Sequence, residues 1–159
     1  MEKGGASTLK EGDQAPDFEL PASSGKSVRL SGLKGMSVVL YFYPKDDTPG
    51  CTAEACSFRD NLPKFKEVDA VVLGISSDSL ESHHKFAEKY SLNFTLLSDE
   101  SLRVHKLYGT WKLKNMYGRE YWGTERSTFV IDERGKIKKI FRKVKVGGHE
   151  KEVLAALSG

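Results

Sequence analysis

Cysteine is scarce in this chain: 159 residues contain only two, Cys51 and Cys56. Two thiols make a poor disulfide framework for a secreted fold. Four residues separate them, so the tight C-x-x-C spacing of zinc sites is missing. Long apolar runs are absent too, none approaching the roughly 20 residues of a membrane-spanning helix. No N-terminal apolar run with a small-residue cleavage site is present, nor any internal repeat or low-complexity linker. Neither sign of charge dominates, since 25 Lys and Arg against 22 Asp and Glu give a formal +3. Most of that excess sits in Lys136, Lys138, Lys139, Arg142, Lys143 and Lys145. The cluster matches no nucleic-acid module and has only Phe141 among it, so it reads as a solvated strand face. What remains is a flexible N-terminus over residues 1–8 and a single domain over 9–159, large enough to bury one core without staples. Neither membrane nor nucleic acid is an expected partner. The expected setting is the cytoplasm, where a cysteine pair is more often catalytic or redox-active than structural.

Both cysteines fall in one stretch, Pro44-Lys45-Asp46-Asp47-Thr48-Pro49-Gly50-Cys51-Thr52-Ala53-Glu54-Ala55-Cys56. Before it, Ser37-Val38-Val39-Leu40-Tyr41-Phe42-Tyr43 is a continuous apolar run of strand length, which predicts a buried central strand ended by Pro44. Thr48 suits an N-cap, Pro49 suits the first helical position, and Ala53 to Arg59 is good helix material. Cys51 then lies in the first helical turn. Unpaired N–H groups and the positive end of the helix dipole favour an anion there, so the sequence predicts a reactive thiolate. In an unbroken helix the two cysteine Cα atoms stand roughly 8 to 9 Å apart, with side chains about 140° apart around the axis. A disulfide needs about 4.4 to 6.8 Å. Any chemistry joining the pair therefore requires local unwinding.

The remaining chain alternates strand and helix signals. An N-terminal β-hairpin is expected from Ala15–Leu20 and Ser27–Leu30 around a Ser-Ser-Gly turn. Leu62-Pro63-Lys64-Phe65 resembles a second short helix. Val71–Ser76 reads as a buried strand, Ser79 as the cap of a helix to about Tyr90, and Thr95–Ser98 as a short strand before a helical stretch near Ser101–Tyr108. Thr128–Ile131 and Ile137–Val144 flank a turn, Gly147-Gly148 makes another, and a last helix spans roughly Glu150–Leu157. This order predicts an α/β fold with a mixed central sheet flanked by helices. His83, His84 and His105 could supply metal ligands, but His83-His84 lies on a polar helix stretch and reads as solvated surface, so no metal is expected. Trp111, Tyr117, Tyr121 and Trp122 lie between Gly109 and Gly123, in what looks like a variable loop; lining a pocket and forming a partner surface are open readings of them, and packing is the simplest.

Taken singly, each residue of the cysteine segment has a plain explanation. Thr48 can be only a cap, Pro44 only a strand terminator, Glu54 a carboxylate that suits the helix dipole and Cys56 a small buried hydrophobe. Together, Pro44-x-x-x-Thr48-x-x-Cys51 resembles the signature of the peroxiredoxins, thiol peroxidases on a thioredoxin-like fold. Gly12–Phe18 is similar to that family's N-terminal segment, and Glu125-Arg126-Ser127-Thr128-Phe129-Val130-Ile131-Asp132 resembles the segment carrying its active-site arginine. A second cysteine five positions after the first resembles the bacterioferritin comigratory, or Q-type, branch.

The resemblance implies a mechanism. Cys51 attacks a peroxide, the Thr48 hydroxyl, Arg126 and the Cys51 N–H surround the reacting atoms, Pro44 shields the thiolate, and Glu54 orients Arg126. Cys56 resolves the sulfenic acid as a disulfide, which thioredoxin or a glutaredoxin-like dithiol reduces; no cofactor is needed. Resolution within one chain makes no demand for a dimer, and a monomer is expected. Two alternatives stay open on the same pair: a protein dithiol–disulfide oxidoreductase, and a redox sensor whose oxidised loop changes an interface.

Overall fold

The structure is a computed structural model describing residues 9–158; the expected flexible segment 1–8 lies outside the described residues. Strand β3 (Ser37–Phe42) runs through the middle of a five-stranded sheet ordered β5 (Thr95–Ser98), β4 (Ala70–Ser76), β3, β8 (Ser127–Ile131), β9 (Ile137–Arg142). β3, β4 and β5 are parallel, whereas β8 and β9 are antiparallel to their neighbours, so the sheet is mixed.

The unbroken apolar character of β3 follows from burial on both faces. Val38, Leu40 and Phe42 point into one core with Leu73, Ile75, Val104, Tyr108 and Phe129. Val39, Tyr41 and the following Tyr43 point into the other, against helix α1 (Pro49–Glu67), α2 (Leu80–Lys89) and α4 (His149–Ser158). The first core is covered by α3 (Arg103–Leu107) and the N-terminal segment. Its hairpin is reduced to β1 (Glu19–Leu20) and β2 (Val28–Arg29), paired Glu19 to Arg29 and Leu20 to Val28. Among the described residues no helix is long and apolar enough to cross a membrane.

Two segments depart from the sequence expectation. Leu62-Pro63-Lys64-Phe65 is no separate helix, because α1 continues through Pro63 to Glu67. Proline removes one i to i−4 hydrogen bond, and the Arg59 carbonyl left over accepts instead from the Asn93 side-chain amide at 3.2 Å. Phe58, Leu62 and Phe65 meanwhile keep one helix face buried. The stretch between Gly109 and Gly123 is no irregular loop either. It forms a hairpin of β6 (Trp111–Met116) and β7 (Arg119–Thr124), closed by Tyr117 and Gly118, both with positive φ as a type I′ turn requires. Trp111-Lys112-Leu113-Lys114 alternates as a strand does, but the alternation is short and β7, Arg119-Glu120-Tyr121-Trp122-Gly123-Thr124, does not continue it.

Candidate active site

The sheet sets the site's position. Phe42, the last residue of β3, pairs with Ser127, so the chain leaving β3 at Pro44 passes beside Arg126. The Pro44–Thr48 loop is then clamped from α2. Asp46 is buried and accepts from Tyr43 Oη at 2.6 Å and Ser82 Oγ at 2.7 Å, with His83 Nδ1 at 2.7 Å. The other ring nitrogen of His83 meets the Leu97 carbonyl at 2.8 Å. Asp78 Oδ2 accepts from the Asp46 backbone N–H, and Lys89 and Tyr90 donate to Asp47, which sits in the left-handed region.

His83 is therefore not the solvated residue expected: it is completely buried, whereas His84 is exposed. Its spacing held the signal, because Ser79, His83, Phe86 and Tyr90 fall on one helical face. Asp46, Asp78 and His83 lie close enough to share a cation. Each already serves the hydrogen bonds that fix the loop, so the cluster reads as a loop anchor.

Helix α1 starts where that anchored loop ends. Thr48 occupies the N-cap position with extended φ and ψ and Pro49 the first helical one, but the Thr48 hydroxyl does not cap. It donates to the Lys45 carbonyl at 2.9 Å, and the first helical bond runs from the Thr52 N–H to the Thr48 carbonyl. Helix geometry leaves the N–H groups of Gly50 and Cys51 without an intrahelical acceptor, directed at the helix's positive end. Pro44 is half-buried at the start of the loop.

Cys51, Glu54, Ala55, Phe58 and Leu62 share the buried stripe of α1, so Cys51 and Glu54 face inward together. Cys51 is 2 % and Glu54 1 % exposed. Arg126 meets both with its fork: Nη1 donates to Glu54 Oε1 at 2.6 Å, and Nη2 to Cys51 Sγ at 3.3 Å. Gly50 makes room for this, since a Cβ there would stand 3.3 Å from Arg126 Nη2. Burial pushes the Glu54 carboxyl up to about 7 against the downward pull of Arg126, and Glu54 Oε2 has no hydrogen-bond partner among the described residues. The half-buried Lys114 completes the positive surroundings, and burial together with Arg126 holds it below the usual lysine range.

Cys56 lies on the same unbroken helix, half-buried and off the inward stripe, and both cysteines are free. The geometry supplies a buried sulfur with a fixed cationic donor and backbone donors at a helix start, which is what stabilises charge spread along an S–O–O line. Of the residues singled out from sequence, the structure brings Cys51, Glu54 and Arg126 into direct contact, places Thr48 and Pro44 at the ends of the adjoining loop, and keeps Cys56 on the next helical turns.

Comparison with known proteins agrees with this geometry. The AhpC/TSA family model matches residues 11–140. Peroxiredoxin Bcp of Bacillus subtilis is 52 % identical over 150 residues, covering 94 % of this chain and 96 % of the relative. The bacterioferritin comigratory protein of Xanthomonas campestris, whose solved structures concern its alkyl peroxide reduction activity, is 41 % identical with a TM-score of 0.87 over 96 % of this chain and 97 % of that one. PrxQ of Xylella fastidiosa superposes with a TM-score of 0.90 at 39 % identity, over 96 % and 98 % of the two chains. The thioredoxin-like architecture, the cysteine at the head of α1 and these matches lead to one conclusion: the chain belongs to the AhpC/TSA family and, within it, to the Bcp or Q-type peroxiredoxins, which are thiol peroxidases.

Proposed function

We propose that Cys51 is the peroxidatic residue of a single catalytic domain spanning residues 9–159, acting on hydrogen peroxide and small organic hydroperoxides. The observation that carries this is the Arg126 fork, one nitrogen 3.3 Å from Cys51 Sγ and the other held by buried Glu54. The Cys51 sulfur attacks the terminal peroxide oxygen, an S–O bond forms as the O–O bond breaks, and hydroxide or alkoxide leaves and takes up a proton. Arg126 and the Gly50 and Cys51 N–H groups hold the developing negative charge. Pro44 shields the sulfur, and the Thr48 hydroxyl, which spends its proton on Lys45, offers lone pairs to the incoming peroxide O–H. The alkyl peroxide activity named for the Xanthomonas relative supports the wider substrate range.

Cys56 resolves the sulfenic acid. Its thiol attacks the Cys51 sulfur, an S–S bond forms and water leaves. The helical spacing of the two residues forbids this bond until the first turns of α1 open. An external protein dithiol, thioredoxin or glutaredoxin-like, then reduces the disulfide. Resolution within the chain fits a monomer working in the cytoplasm. Cys56→Ser tests the division of labour: the first oxidation of Cys51 proceeds at the wild-type rate, thioredoxin-linked turnover falls at least tenfold, and mass spectrometry finds sulfenic and then sulfinic acid on Cys51. Full thioredoxin-linked turnover in this variant would remove Cys56 from the mechanism.

A further inference from the structure

The β6–β7 hairpin is not used by the chemistry above, yet it carries the most exposed apolar side chains of the described molecule. Tyr117 is fully exposed, Trp122 58 %, Met116 54 % and Leu113 51 %. The hairpin is nonetheless anchored. At its base Trp111 stands edge-on to buried His105, and Thr124 Oγ1 lies 3.0 Å from His105 Nε2, with the ring's other nitrogen 2.7 Å from Asp99. Cross-strand pairing and alternation put Leu113 and Trp122 on the face of Trp111, and Met116 and the 39 % exposed Tyr121 on the opposite face with Lys112, Lys114 and Arg119. Exposed Tyr, Met and Arg side chains on a fixed support are what interaction surfaces present.

Its place identifies the occupant. Lys112, Lys114 and Tyr121 line a cleft together with Arg126 and Lys143, and Arg126 reaches Cys51. The hairpin therefore walls the end of the molecule where α1 begins. The charges are mostly of one sign, Lys112, Lys114, Arg119, Arg126 and Lys143 against Glu120 and Glu125. Two copies facing each other through this surface would set cation against cation, whereas a partner with an acidic rim is attracted. Thiol–disulfide exchange requires the attacking sulfur to reach a bonded one, so a protein reductant must seat itself beside the opened start of α1.

Resting on the proposed resolution by Cys56, we propose that the β6–β7 hairpin is the docking surface for the protein dithiol that reduces the Cys51–Cys56 disulfide, a partner whose reactive thiol is surrounded by apolar surface and an acidic rim. In the exchange the partner thiolate bonds to one sulfur of the disulfide and displaces the other as a thiolate. The partner's second thiolate then attacks the partner sulfur of the mixed disulfide, forming the partner's own disulfide and releasing this chain's sulfur as a thiolate, so this chain leaves reduced and the partner oxidised.

The test uses full-length protein oxidised with one equivalent of hydrogen peroxide, its Cys51–Cys56 bond verified by mass. Reduction by thioredoxin is compared with reduction by dithiothreitol, a small dithiol that needs no docking surface. Tyr121→Ser, and separately Met116→Ser with Tyr117→Ser, lower kcat/KM for thioredoxin at least tenfold and leave the dithiothreitol rate within twofold. Arg119→Glu lowers the thioredoxin rate most at low salt and flattens its dependence on ionic strength. Unchanged thioredoxin rates overturn the proposal. So do equal losses with both reductants, which would make the hairpin a support for the site, and a wild-type dimer that these changes render monomeric, which would make a second copy the occupant. Absence of the Cys51–Cys56 bond after peroxide would mark the failure of resolution itself, and the docking surface falls with it.

Discussion

Cys51→Ser lowers the second-order rate constant for hydrogen peroxide by at least about 10⁴-fold while leaving the fold intact. The thiolate is the nucleophile, and a serine hydroxyl in the same place stays protonated near neutral pH: its contact is the cation Arg126, and the one carboxyl beside it, Glu54, is held by Arg126 Nη1 and accepts no hydrogen bond from residue 51. The substitution exchanges sulfur for a smaller oxygen at a buried position on α1, so the thermal midpoint moves little compared with the activity. Stopped-flow peroxide consumption reads the first quantity, and circular dichroism on heating the second. Peroxide turnover surviving in the serine variant would place the chemistry on another residue.

Arg126→Ala is expected to cost about 10²- to 10³-fold in peroxide reduction, the typical loss when one fixed donor to developing charge is removed. The stability cost is smaller than a broken buried ion pair would suggest. Burial already raises Glu54 to about 7, so without Arg126 this carboxyl takes up a proton at neutral pH instead of standing as an uncompensated charge. Arg126→Lys separates charge from geometry. One ammonium cannot reproduce a fork that spans Glu54 Oε1 and Cys51 Sγ at 2.6 and 3.3 Å, so its rate falls between wild type and alanine. Adding Glu54→Gln to Arg126→Ala restores melting temperature without restoring rate. Stopped-flow kinetics on the four proteins, paired with thermal melts, decides it. Equal peroxide rates in wild type and Arg126→Ala would remove Arg126 from the chemistry.

Much of this arrangement was legible in the residues themselves. The apolar run Ser37–Tyr43 announced a strand buried on both faces, and Thr48-Pro49 announced the helix start that carries Cys51. Glu54 by itself reads as a carboxylate that suits the helix dipole; its role in orienting Arg126 comes from the family resemblance. The meeting of Cys51 with Arg126 was not legible locally, since 75 residues separate the two and only the antiparallel return of β8 beside β3 joins them; family resemblance supplied that partner. His83 was misread because a histidine beside polar residues looks solvated until the sheet brings Asp46 to it. The continuity of α1 through Pro63 is not readable locally, and the Arg59 carbonyl that Pro63 leaves over finds its donor in Asn93, beyond the helix. The β6–β7 hairpin leaves only a four-residue alternation, Trp111-Lys112-Leu113-Lys114, too short to mark a hairpin, and composition does not tell which of its aromatics find a core.

The central claim is mechanical: a folded α1 activates Cys51 beside Arg126, and the same helix must open for Cys56 to reach it. Hydrogen exchange by mass spectrometry, run on reduced protein and again after one equivalent of peroxide, tests this most directly. Amides of residues 52–57 are protected in the reduced protein and lose protection in step with formation of the Cys51–Cys56 bond, while β3 and the distal part of α1 around Phe65 stay protected. Full protection of residues 52–57 alongside a mass-verified Cys51–Cys56 bond would contradict it.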